Sequence, residues 1–197
     1  MRGKVFRMLT GVEVSRKIVH LATLSIPIGY GLLPKETVIT ILVPLFLGFL
    51  IVDLLRHYHA GMASLFQKYF LGTVLREEER NTLMGSTYFL FSSILAILFF
   101  PKPIAIASLL FLILSDTAAA IVGKGMGRIR IFGKTLEGSL AFLLSSLFIV
   151  WVYPDLNRFW GSLAALGATL IELLPIRVDD NLTIPLVAGA IMFFGAG

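Results

Sequence analysis

The residues best suited to chemistry lie in one stretch, 115–138, which reads SDTAAAIVGKGMGRIRIFGKTLEG. Asp116 puts a carboxylate inside an apolar run, where ionisable groups are costly and usually functional. Beyond it, Lys124, Arg128, Arg130 and Lys134 alternate with Gly123, Gly125, Gly127 and Gly133. Cations on a glycine-rich backbone suit an anion such as a nucleotide phosphate, because glycine lets the main chain wrap and the cations supply charge. The reading is of a basic loop from Lys124 onward, with Lys124, Arg128 and Lys134 as phosphate contacts. For some of these cations the alternative is a topology signal at a membrane surface. Asp116 is expected to hold Mg²⁺ that bridges nucleotide phosphates. Its alternative is an ion-pair or helix-packing role, which the neighbouring Ala118, Ala119 and Ala120 would also permit. Gly133-Lys134-Thr135 resembles the end of a P-loop, but Arg128 stands where that motif needs its first glycine.

Further carboxylates extend the pattern. Glu137 opens the next apolar run, where it either favours a helix dipole or completes a metal or phosphate site opposite Asp116. Glu172 and the adjacent pair Asp179 and Asp180 form a second acidic cluster, able to hold metal or to take a proton from an alcohol. Alternatively, Asp180 or Asn181 caps the last helix, with Pro185 near its first turn. Near the start, Arg16, Lys17 and His20 form an R-K-x-x-H pattern. Lys17 and His20 share a helical face and are either basic partners of the site or structural.

The elements that must position these groups are membrane helices. The 197 residues are 57% hydrophobic and only 15% charged, against roughly a quarter charged in soluble domains. The expected fold is all-α, a polytopic membrane protein in a single domain spanning 1–197. With no cysteine, disulfides, thiolate metal sites and a cysteine nucleophile are excluded. The net charge of +5 reads as membrane topology and not as nucleic-acid binding, since no basic soluble face with interleaved aromatics exists. About seven apolar stretches approach the ~20 residues a span needs: 18–34, 37–55, 84–100, 103–123, 138–153, 158–174 and 181–197. The first lacks a small-residue cleavage site and reads as a retained helix. With the N-terminus in the cytoplasm, only Lys35, Lys102 and Arg158 of the 17 Lys and Arg fall outside, the bias that the positive-inside rule describes. The carboxylates Asp53, Asp116, Glu137, Glu172, Asp179 and Asp180 then gather towards the cytoplasmic face. The connection 56–82 has Tyr58, Met62, Leu65, Phe66, Tyr69 and Phe70 at helical spacing. It reads as an amphipathic interface helix, an anchor or a gate for a lipid substrate.

Three stretches, RKIVH at 16–20, SDTAAAIVGKGMGRIRIFGKTLEGSLAF at 115–142 and ELLPIRVDDNLTIP at 172–185, resemble the polyprenol kinase family, which includes dolichol kinase, phytol kinase and the CTP-dependent diacylglycerol kinase. The resemblance implies a Mg²⁺-requiring lipid kinase with CTP as phosphoryl donor and a long isoprenoid alcohol as acceptor. It also implies that Asp116, Gly123, Gly127, Lys134 and Glu137 form the nucleotide and metal site, with Thr135 beside them, and that Asp179, Asp180 and Asn181 form the late acidic motif. Asp116, Asp180 and Glu137 are the expected catalytic residues. Lys17, His20, Gly123, Lys124, Gly127, Arg128, Lys134 and Thr135 are expected to bind the nucleotide. Asp116, Glu137, Glu172, Asp179 and Asp180 are the expected metal ligands. Phosphatidate cytidylyltransferases are distantly similar but usually carry a Ser-Pro-Lys-Lys-Thr element, where this chain has Phe132-Gly133-Lys134-Thr135. A cytidylyltransferase, a diacylglycerol kinase and a small permease are the alternatives. Carboxylates gathered at one face, and not around the midplane, argue against the permease.

Overall fold

A computed structural model describes residues 20–59, 61, 82–176 and 178–195. The described chain is almost entirely helical: α1 (Ser25–Leu32), α2 (Lys35–Tyr58), α3 (Gly85–Phe99), α4 (Lys102–Leu110), a π-helical turn (Phe111–Ser115), α5 (Asp116–Met126), α6 (Leu136–Val152), α7 (Arg158–Leu173) and α8 (Asp180–Phe194). Strands β1 (Arg130–Ile131) and β2 (Lys134–Thr135) form a small hairpin between α5 and α6. The all-α expectation therefore holds apart from that hairpin. Lys17, the first part of the stretch 18–34 and most of the interface helix expected at 56–82 lie outside the described residues.

Among the described residues, two helices are long and apolar enough to cross a membrane: α2, and the unbroken run Lys102–Met126 made of α4, the π turn and α5. The latter is the centre of the structure, with 67% of its apolar window buried, against 17% for α2. The shorter apolar helices α3, α6 and α8 follow the expected stretches to within a few residues. The first stretch does not form one continuous helix. Pro27 has no N–H for the Thr23 carbonyl, and the chain takes tight turns through Thr23 and Leu24 before α1 begins.

The core lies where α3–α8 meet, around Phe111, Phe142, Leu109, Leu112, Ile113 and Ile184. Small residues set the helix spacing by letting the backbones approach closely. Gly161 lies under Val150, Gly167 under Ile191 and Gly189 under the Phe100 ring. On the other side, α2 is fastened to the start of α3 through Asp53, which is wholly buried. Its carboxylate pairs with Arg56 at 2.8 Å and accepts the Met84 N–H at 2.9 Å and the Thr87 hydroxyl at 2.5 Å. A buried charge is tolerable only when paired and hydrogen-bonded in this way. The Met84 amide, at the N-cap of α3, is thus met from α2.

Candidate active site

Lys134 reaches its place by the β-hairpin. Arg130 faces Thr135 and Ile131 faces Lys134 across the ladder. The linking residues Phe132 (φ 49°) and Gly133 (φ 86°) are both left-handed, as a two-residue hairpin with a type I′ turn requires. The hairpin runs directly into α6. Thr135 is the helix N-cap, its hydroxyl accepting the Gly138 N–H at 3.2 Å.

The Lys134 ammonium then spans two helices. It lies 2.9 Å from Asp180 Oδ2 at the start of α8 and 3.2 Å from Glu172 Oε1 at the end of α7, and it also donates to the Glu172 carbonyl. Burial alone would lower the Lys134 pKa, but Asp180 and then Glu172 outweigh it and hold the group above its ordinary value. Glu172 is buried, and its second oxygen accepts the Ser139 hydroxyl of α6 at 2.9 Å. The Asp116 and Asp179 carboxylates lie near enough to Asp180 to oppose its charge. Asp179 caps α8 by accepting the Asn181 N–H at 2.8 Å and the Asn181 side-chain amide at 2.7 Å. The cap is thus Asp179, not Asp180 or Asn181, and Pro185 lies inside the helix beyond its first turn.

Asp116 opens α5 directly after the π turn. Turns of this kind often mark functional positions because they re-aim the following side chain. The Ser146 hydroxyl of α6 bonds to the Ser115 hydroxyl at 2.9 Å, both wholly buried, and fixes that turn. His20 joins from the chain start, with Nε2 3.2 Å from the Leu112 carbonyl and 3.8 Å from Asp116 Oδ2.

Distant parts of the sequence therefore converge: His20, Asp116, Lys134, Glu172, Asp179 and Asp180. Other expected residues are placed differently. Lys124 is helical, because α5 continues to Met126, so the loop begins at Gly127 and not at Lys124. Gly123, Gly127 and Gly138 close around the Thr135 side chain. A Cβ on Gly123 would lie 2.7 Å from Thr135 Oγ1, and one on Gly138 would lie 2.9 Å from the Ala119 carbonyl. These glycines serve close packing of α5 on α6. Glu137 turns to the hairpin, accepting the Ile129 N–H at 3.3 Å, with Arg128 as its nearby cation. Among the described residues, no group of three or more His, Asp or Glu side chains is arranged to hold a metal ion. The five expected metal ligands thus form no ready-made cage.

Ser139 and Ser146 escaped the sequence reading. Their signal is a pair of hydroxyls two turns apart on one face of an otherwise apolar helix. The hairpin was also unread, because its turn places Phe132 at a positive φ where Asn or Asp gives the usual signal, leaving Gly133 as the sole cue.

The chain is similar over most of its length to several curated proteins. An uncharacterised protein of Rickettsia prowazekii is 32% identical over 183 residues, covering 88% of this chain and 90% of that one. CTP-dependent diacylglycerol kinase 1 of Schizosaccharomyces pombe is 29% identical, covering 92% of each. Probable phytol kinase 1, chloroplastic, of Glycine max is 31% identical, covering 92% of this chain and 66% of its own length. No family model matches the chain, and no solved structure matches it.

Proposed function

The chain belongs to the polyprenol kinase family, the lipid kinases that include CTP-dependent diacylglycerol kinases and phytol kinases, and from that premise we propose that it transfers the γ-phosphoryl group of CTP to the hydroxyl of a long-chain isoprenoid alcohol. The observation that carries this reading is the Lys134–Asp180–Glu172 cluster with Asp116 beside it. A carboxylate there can accept the alcohol proton, and a fixed cation can offset charge on the transferred group.

The geometry supports one role for each residue in this proposal. Asp180, part-exposed and paired with Lys134, faces the acceptor hydroxyl and takes its proton; burial, which outweighs Lys134, raises its pKa above the ordinary value and so makes it a better proton acceptor. Lys134 orients Asp180 and meets the phosphate oxygens. Glu172, steadied by the Ser139 hydroxyl, holds Lys134 from the buried side. Asp116, with His20 against it, faces the nucleotide phosphates. The hard, mutually repelling oxygens of Asp116 and Asp180 fit a magnesium ion that arrives with the nucleotide, since Mg²⁺ is commonly held by one or two carboxylates plus phosphates. When bound, that ion would supply charge neutralisation across the phosphates.

The cytoplasmic membrane face is the proposed location. At the opposite end of the helices, Lys102 lies 5.2 Å from the Tyr30 ring centre and Arg158 lies 4.8 Å from that of Trp151. Such aromatic and cationic pairs suit a membrane–water boundary, and they lie at the end of the helices away from the acidic cluster. Membrane passage by all of the roughly seven apolar stretches belongs to the same proposal.

Diacylglycerol is the second reading of the acceptor, favoured by the even, 92% coverage of the S. pombe kinase. The test is the purified protein in nanodiscs with γ-labelled CTP or ATP and a panel of polyprenol, phytol, geranylgeraniol and diacylglycerol. Label from CTP on an isoprenoid alcohol is expected. Transfer of α-label and cytidine to phosphatidate would replace the kinase with a cytidylyltransferase.

A further inference from the structure

Pro185 lies inside α8. A proline has no N–H, so the carbonyl four residues earlier loses its normal helical donor. That carbonyl belongs to Asn181, the residue next to Asp180. A buried carbonyl left unmet costs about as much as a lost hydrogen bond. Here the missing donor comes from another helix: the Ser92 hydroxyl of α3 reaches the Asn181 carbonyl at 2.7 Å. Ser92 is wholly buried. Its other contact, 3.0 Å to the Phe89 carbonyl, lies within its own helix. A hydroxyl from a neighbouring helix is one of the groups that make an internal proline tolerable in lipid. Asn181 is thereby held on both sides, its N–H by Asp179 and its carbonyl by Ser92. The helix carrying Ser92 is itself fixed at its start by Asp53, through Met84 and Thr87.

We propose that Ser92 is a positioning residue for the transfer reaction: its bond to the carbonyl that Pro185 leaves without a helical donor fixes the first turn of α8 and so sets Asp180 against Lys134. This rests on the reading of that cluster as the phosphoryl-transfer site. Ser93 provides an internal control. It is equally buried, but its hydroxyl donates to Phe89 of its own helix at 2.7 Å.

The experiment compares Ser92→Ala, Ser93→Ala, Pro185→Ala and the Ser92→Ala/Pro185→Ala double variant of the full chain in nanodiscs, by steady-state kinetics and thermal unfolding. Pro185→Ala restores a backbone N–H for Asn181, so the hydroxyl of Ser92 becomes dispensable. Ser92→Ala is expected to lower kcat about tenfold, with KM for CTP changed less than about twofold. Ser93→Ala is expected to match wild type, and the double variant to match Pro185→Ala within about twofold. A wild-type rate in Ser92→Ala, or an equal loss in both backgrounds, overturns the proposal. If wild type phosphorylates no lipid alcohol, the reading of the site is at fault, and the unfolding data still judge the lock. A Tm loss from Ser92→Ala that disappears in the Pro185→Ala background supports it, and equal losses refute it. If Ser92→Ala cannot be isolated, recovery of a folded double variant supports the coupling and failure of both refutes it.

Discussion

Lys134 and Asp180 are 46 positions apart in the chain and 2.9 Å apart in space. Because Lys134 also holds the buried Glu172, Lys134→Met should remove the charge partner of a carboxylate that cannot reach water. Breaking such a pair costs several kcal/mol when both ends are buried, and about 1–3 kcal/mol here, since Lys134 is partly exposed. Thermal unfolding in detergent is the measure. Adding Glu172→Met should return most of the lost stability by removing the stranded charge. Neither variant should regain activity, which is expected to fall at least about 100-fold. An active double variant would remove Lys134 from the mechanism.

The same ion pair sets a pH expectation. The Lys134 pKa is raised from its ordinary 10.5, so its contribution to stability is complete below that value. It is lost only as pH rises through the still higher folded-state value. Denaturation of wild type and Lys134→Met should therefore differ by a constant amount across pH 6–9, and the gap should narrow only in strong alkali. A gap that closes near neutrality would mean that another group is responsible.

Asp116→Asn separates chemistry from folding in the other direction. Asp116 is part-exposed, with a side-chain exposure of 27%, and the amide is nearly isosteric. Membrane insertion and Tm should change little. Transfer of γ-label from CTP should fall by more than about 100-fold if Asp116 faces the phosphates as proposed. Full activity in this variant would exclude it.

The sequence made some of this arrangement legible and hid the rest for physical reasons. Apolar length located the helices, because burial of a helix acts on composition directly. Asp116, Glu172 and Asp180 stood out because carboxylates are rare in such surroundings. Their convergence on Lys134 depends on how α5, α7 and α8 cross, which no local pattern encodes. The π turn before Asp116 likewise leaves no signature in Phe111–Ser115. The glycines carry a role that their motif does not announce. Gly123 and Gly127 share a motif with basic residues and so suggest an anion cradle, yet their missing side chains make room for Thr135. Glu137 is similar, since its place in the first turn of α6 brings it to the Ile129 amide, a contact that no local pattern encodes.

That packing role of the glycines leads to a separable prediction. Gly138 is buried on the first turn of α6, and a methyl group there would meet the Ala119 carbonyl at 2.9 Å, Thr135 Oγ1 at 2.9 Å and Gly123 Cα at 3.2 Å. Two of these three are main-chain atoms, which cannot step aside as a side chain can. Gly138→Ala should therefore push α6 away from α5 and cost about 1–3 kcal/mol, the usual range for overpacking, even though alanine is the better helix former. Because Thr135 follows Lys134, the shift should also draw the ammonium from Glu172 and Asp180 and lower kcat. Gly29, with open space around its Cα, is the matched control, and Gly29→Ala should leave the rate unchanged and hold or slightly raise Tm, since alanine favours the helix. Thr135→Ser trims the methyl that crowds Gly127 but keeps the hydroxyl that caps α6, so it should not rescue Gly138→Ala, whose clash is with that hydroxyl and with backbone. Thermal unfolding and the γ-label assay on these four proteins decide the matter, and a Gly138→Ala protein with wild-type Tm and rate would show that α5 and α6 are not packed this closely.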